Sequence, residues 1–182
     1  MASARQNAPS SGNSKRLGPQ AIDECPGSAA RIERLASGAP WEPIAGYSRA
    51  VRAGDWIAVS GTTSFDEAGK IVGKGQMYVQ ARQAIANIAA ALELVGASFG
   101  DVVRTRIFVT DLGRFEEVAR AHRESFGAAP PAATAVEVRR LVHPDMMFEI
   151  EVDAFAPISA PDVQQASRAR KPALKRRSVG KR

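Results

Sequence analysis

The chain has 182 residues, of which 45% are hydrophobic, a single cysteine and a formal net charge of +6. That length supports one domain with a sizeable core, and a lone cysteine excludes an intramolecular disulfide. No apolar run approaches the roughly 20 residues of a membrane-spanning helix. The Ser-, Asn- and Gly-rich N-terminus lacks the apolar centre of a secretory signal, so a cytoplasmic location is the default expectation.

The charge is unevenly placed. From Pro161 onward there are eight basic residues (Arg168, Arg170, Lys171, Lys175, Arg176, Arg177, Lys181, Arg182) and one acid, Asp162, a tail charge of +7 that leaves −1 for everything before it. The basicity therefore belongs to the tail and not to the domain. Three segments follow: an N-terminal arm over 1–30, a domain over 31–157, and a basic tail over 158–182. The arm, rich in Ser, Gly, Pro, Asn and Gln and without periodicity, reads as disordered, as does the tail. Cys25 lies in the arm and reads as incidental.

In chain order, a short strand is expected at 31–35, then a loop through Gly38, Pro40 and Pro43 with Trp41 on the domain surface. Residues 46–52 and 56–60 read as a hairpin with Ala53, Gly54 and Asp55 as its turn. A loop over 62–75 holds a short strand at 70–72 and a turn at 66–69. The first long helix is expected at 77–95: Ala81, Ile85, Ile88, Leu92 and Val95 recur at spacings of three and four, five further alanines raise its propensity, and Gly96 can cap it.

A strand rich in β-branched residues follows at 102–110, with Arg104, Arg106 and Phe108 on one face. Asp111 reads as the N-cap of a second helix reaching Phe126, and Gly127 ends it. The stretch 130–155 reads as two strands joined by a polar turn at Val142, His143, Pro144 and Asp145. In the last strand Phe148, Ile150, Val152 and Ala154 alternate with Glu149, Glu151 and Asp153, the period of a sheet with one apolar and one polar face. Two helices and about six strands fit an α+β, two-layer sandwich: a mixed six-stranded sheet with both helices on one face. The other face carries Tyr47, Arg104, Arg106 and the three acids, and a sheet face of that kind is often covered by association.

Chemical motifs are sparse. His122 and His143 have no metal-ligand spacing, and no nucleophile elbow, phosphate loop or dinucleotide fingerprint is present, so no cofactor is expected.

Five stretches, in this order, resemble the RidA/YjgF (endoribonuclease L-PSP-like) family, whose fold is of the chorismate-mutase-like type. They are Gly46-Tyr47-Ser48-Arg49-Ala50-Val51, Ser60-Gly61 after a strand, Gln80-Ala81-Arg82-Gln83 opening a helix, Phe108-Val109-Thr110-Asp111-Leu112, and Pro131-Ala132-Ala133-Thr134 followed by Val136-Glu137-Val138 and Glu149-Ile150-Glu151. The resemblance covers residues 31 to 156 or so. It implies a homotrimer with ligand pockets in the clefts between subunits, and an enamine or imine deaminase activity that yields ketones and ammonia.

By the same resemblance Glu149 and Tyr47 are the candidate catalytic residues. Ser60, Gly61, Ala133 and Thr134 are the candidate substrate contacts. Deaminating members carry an arginine directly after Pro-Ala, a bidentate clamp for a substrate carboxylate. This chain has Ala133 there, and Ala119 where the second helix often carries asparagine. Arg139 and Arg140 are poor substitutes, since Arg140 lies some 20 Å along the strand. Arg104 and Arg106 are better candidates for an anion contact across a subunit boundary.

Each candidate also has a plainer reading. Alternation alone accounts for Glu149 as a polar residue on a strand face, Tyr47 can be a half-buried strand tyrosine, and a tight turn needs Gly61 without any anion at its N–H groups. Three functions stay open: a hydrolase of the imine type, a non-catalytic small-molecule binder using the same clefts, and an RNA-binding protein acting through its tail over 168–182. The tail has no aromatics for base stacking, so such binding would be phosphate-driven and salt-sensitive. No membrane partner is expected, and a solvated terminal extension is the plainer reading of the tail.

Overall fold

The computed structural model describes residues 32–157, so the N-terminal arm, Arg31 and the basic tail lie outside the described residues. The elements are β1 (Ile32–Leu35), a short helix α1 (Trp41–Ala45), β2 (Ala50–Ala53), β3 (Trp56–Thr62), α2 (Met77–Leu94), β4 (Val102–Val109), α3 (Phe115–Phe126), β5 (Ala132–Glu137) and β6 (Phe148–Phe155). One six-stranded mixed sheet has the order β1-β2-β3-β6-β4-β5, and α2 and α3 pack on one of its faces. This is the two-layer α+β sandwich that the strand and helix periods predict.

Helix α2 buries Ala81, Ile85, Ile88 and Leu92 completely or nearly so, together with Met77, Ala84 and Ala91. The small alanines let the helix lie close to the sheet, where Phe148, Ile150, Val152 and Ala154 of β6 are all at most 1% exposed. The helix stops at Gly96, whose φ of 73° is left-handed and lets Ala97 N–H donate to Leu92 O at 2.9 Å, the kind of closure that satisfies end carbonyls. Asp111 accepts a hydrogen bond from Gly113 N–H at 2.8 Å. It thus caps a 3-10 turn (Leu112–Arg114) that leads into α3 rather than the α-helix itself.

Two buried polar side chains tie the layers together. Gln80, fully buried, donates to Asp145 O and Gly73 O and accepts from Met147 N–H at 2.7 Å. Arg52, 6% exposed, donates to Val95 O at 2.8 Å, just past the end of α2, and to Ala156 O beyond β6. Buried polar groups are stable only when partnered in this way.

Three local expectations change. The segment around Trp41 forms the five-residue helix α1 instead of a loop, closed by Gly46 at φ 69°; Trp41 itself is 53% exposed. Residues 70–72 form no strand, only a bridge between Phe65 and Ile71, because left-handed Gly69 and Gly73 flank them at φ 74° and 68°. The last two strands are not a hairpin. β5 runs parallel to β4, and β6 inserts antiparallel between β3 and β4. The α3 crossover returns the chain in the direction of β4, as parallel pairing requires. The strand with four fully apolar inward positions takes the centre, and the Ala/Thr-rich β5 takes the edge.

Candidate functional site

Strand β3 departs from regular pairing between Val59 and Thr62, so Ser60 and Gly61 form a bulge facing β6. A Cβ placed on Gly61 would collide with Oε1 of Glu149. The glycine is therefore needed for close approach of the acid to the backbone. Burial pushes the Glu149 carboxyl above the ordinary glutamate range, the neighbouring negative charge of Glu151 adds to this, and Arg49 partly offsets it. Raising a carboxyl's proton affinity by burial brings it toward the range useful in proton transfer.

Arg49 organises the surroundings of this acid. Its Nη1 donates to Gly61 O and to Thr62 Oγ1, both at 3.0 Å, and its Nη2 donates to the Tyr47 hydroxyl at 3.2 Å. Its guanidinium also lies 5.6 Å from the Tyr47 ring centre. Behind it, Glu42 is 6% exposed with Oε1 4.0 Å from Arg49 Nε, and accepts from Ser37 N–H, Ser37 Oγ and Gly38 N–H. Tyr47, Ser60, Gly61 and Glu149 are thus brought together through Arg49. Neither Arg49 nor Glu42 stood out in the sequence. The available signal was an opposite-charge pair on either side of Tyr47, uninformative until α1 turns the chain back.

The anion-binding role read for the Ser60 backbone does not hold. Ser60 N–H donates to Arg49 O at 3.0 Å, and its hydroxyl donates to Ser48 O at 2.8 Å. Both are spent on the segment that leads into β2.

Ala133 lies elsewhere. It pairs in register with Thr105, which is fully buried beneath α3, whereas Glu149 pairs with Phe108 on the opposite face. Ala133 and Ala119 line one groove of about 220 Å³ with Ile107, Val118, His122 and Ala135. Thr134 borders the same groove while its register with Arg106 assigns it to the open face. His122 Nε2 is 3.0 Å from Thr105 Oγ1, and burial lowers its pKa, so the groove carries no positive charge near neutral pH.

On the open face Arg106 is committed to Glu151 at 2.8 Å and Asp153 at 3.0 Å. That removes it as a free anion contact and leaves Arg104. Among the described residues no group of His, Cys, Asp and Glu is placed to hold a metal ion.

A helix-backed mixed sheet, with the acid Glu149 packed over a bulge glycine on the side away from the helices, defines a small α+β domain. The Endoribonuclease L-PSP family model matches residues 37–156, and the chain belongs to this family, the RidA/YjgF family. It is 41% identical over 115 residues to a RutC family protein of Pyrococcus abyssi, covering 63% of this chain and 89% of that one. It resembles the crystal structure of a YjgF/YER057c/UK114 family member from Mycobacterium tuberculosis at 41% identity, with a TM-score of 0.63, covering 69% of this chain and 99% of that one. The structure of RidA from an Antarctic Psychrobacter is similar at 28% identity and a TM-score of 0.59, covering 67% and 94%.

Proposed function

We propose that the protein hydrolyses enamines or imines that lack a carboxylate, in clefts between the subunits of a homotrimer. The observation that carries this reading is the Glu149 carboxyl, half-buried over Gly61 with its proton affinity raised. In the reaction Glu149 takes a proton from water as the water oxygen bonds to the imine carbon. The C=N double bond becomes single and Glu149 returns that proton to nitrogen, giving a carbinolamine. Glu149 then takes the carbinolamine hydroxyl proton and passes it to nitrogen, so that the C–N bond breaks, ammonia leaves and the C=O bond forms. The Tyr47 hydroxyl, held by Arg49, orients the substrate or the water.

The trimer is part of the proposal. Glu149 and Ala133 occupy opposite faces of one sheet, so a pocket that uses both needs two copies. Trp56 and Phe155, paired on the open face, are 46% and 50% exposed, and covering them supplies apolar area for association.

A substrate carboxylate is disfavoured. Ala133 stands where the clamp would be, Arg106 is spent on two acids and Arg49 has three of its donors in internal bonds. That leaves Arg104 as the one cation of this group that could meet it. A lost charge-assisted contact of about 3 kcal/mol corresponds to roughly a hundredfold in rate.

The test is decay of 2-aminoacrylate, generated from serine by a dehydratase, beside decay of an uncharged alkyl imine. Wild type should accelerate the uncharged imine, Glu149→Gln should abolish the effect, and Ala133→Arg should gain on 2-aminoacrylate. Wild-type acceleration of neither imine would sink the hydrolase reading. A second reading, a non-catalytic binder, is favoured by the apolar lining that Ala119 and Ala133 give the groove. Retention of a small apolar ligand without turnover would support it.

A further inference from the structure

We infer that Arg49 is the positioning residue of this site: it pins the Gly61 bulge and the Tyr47 hydroxyl in place and sets a positive charge beside the glycine against which Glu149 packs. The inference deepens the hydrolase reading and rests on it for its kinetic consequences only.

The donor inventory supports the assignment. A guanidinium has five N–H donors. Both on Nη1 are used, on Gly61 O and Thr62 Oγ1, and one on Nη2 goes to Tyr47. Nε faces buried Glu42. With both Nη1 donors and one Nη2 donor engaged, Nε 4.0 Å from the Glu42 carboxylate and the side chain only 14% exposed, Arg49 is turned toward its internal partners and not toward an end-on carboxylate clamp.

Its contacts instead join the two groups on which the chemistry depends. Thr62, held by Nη1, donates to Ser60 O at 2.7 Å, which closes the bulge on which Glu149 rests. Other charges facing Glu149 are few. Glu151 lies on its own strand, β3 offers only Ser60, Gly61 and Thr62, and Arg106 of β4 is held by Glu151 and Asp153. Arg49 is therefore the cation that opposes the effect of burial on Glu149.

Charge and geometry separate in two variants. Arg49→Gln removes the charge, and Arg49→Lys keeps it but cannot reproduce three planar donors. Each is followed by pH titration of the Glu149 side-chain carboxyl in protein carrying 13C-labelled glutamate, with Glu149→Gln assigning the resonance. Arg49→Gln should move the midpoint up by about half a unit or more. Arg49→Lys should leave the midpoint in place but lower kcat on the uncharged imine about tenfold, with KM little changed.

An unmoved midpoint in Arg49→Gln would overturn the charge role, and wild-type kcat in Arg49→Lys would overturn the geometric one. Should Arg49→Gln not fold, Arg49→Lys decides by its kcat. The titration needs no turnover, so if wild type hydrolyses no imine, the hydrolase reading fails while the role of Arg49 is still decided by the Glu149 midpoint.

Discussion

Oε1 of Glu149 occupies the space in which any side chain on Gly61 would begin. The glycine keeps ordinary backbone geometry, since its φ is not among the positive ones. Its role is to make room for the acid and not to permit a turn. Alanine at position 61 therefore displaces a flexible carboxylate without straining the chain. Gly61→Ala should change stability by less than about 1 kcal/mol in urea denaturation, while imine hydrolysis falls at least tenfold, a loss expected when a reacting group is misplaced by about an ångström. Full activity in that variant would show that the carboxylate does not act from this position.

Glu149 also leaves a signature in stability against pH. Its folded-state pKa is raised, so the protonated form suits the fold. Its stabilising effect is complete below the ordinary glutamate value of about 4.3 and is lost as pH rises through the raised folded value. Glu149→Gln keeps the neutral shape at all pH. The variant should be more stable than wild type at pH 7, and the gap should close toward pH 4, read from urea midpoints at each pH. A gap of constant size would mean that ionisation of Glu149 costs the fold nothing.

His122 works in the opposite direction. Burial lowers its folded pKa, so the neutral ring suits the fold. Its contribution is complete above the ordinary histidine value of about 6.5 and is lost as pH falls through the lowered folded value. As pH falls below about 6.5, the stability of wild type should fall relative to that of His122→Gln. Parallel thermal melts at pH 7 and pH 5 decide it, and equal losses would refute the assignment.

Arg52 is a fourth test, of the frame and not of the site. Its guanidinium satisfies the carbonyls of Val95 and Ala156. Arg52→Met keeps the apolar stem but strands both carbonyls, at a cost on the order of 3 kcal/mol. Urea unfolding measures it, and a loss under about 1 kcal/mol would show that water replaces the guanidinium there.

Parts of this were legible before any coordinates. The stripe Ala81, Ile85, Ile88, Leu92 marked the helix, and the alternation from Phe148 to Ala154 marked both faces of the strand, because each pattern depends only on neighbours two to four residues away. Glu149, Tyr47 and Gly61 could be singled out by resemblance. Arg49 and Glu42 could not, since their link depends on how α1 folds back. That the Ser60 N–H is engaged by Arg49 O could not be read either, since it depends on how the segment before β2 meets β3.

Sequence by itself determined the types of the long elements and their apolar faces. Tertiary structure alone decided the rest. It placed β6 rather than β5 in the centre of the sheet, set Ala119 beside Ala133 in one groove, and put Glu149 on the opposite face from both. The physical reason is range. Periodicity is written in local spacing, whereas pairing partners and the meeting of distant side chains follow from competition among strands for the most deeply buried position, which residues far apart in the chain settle together.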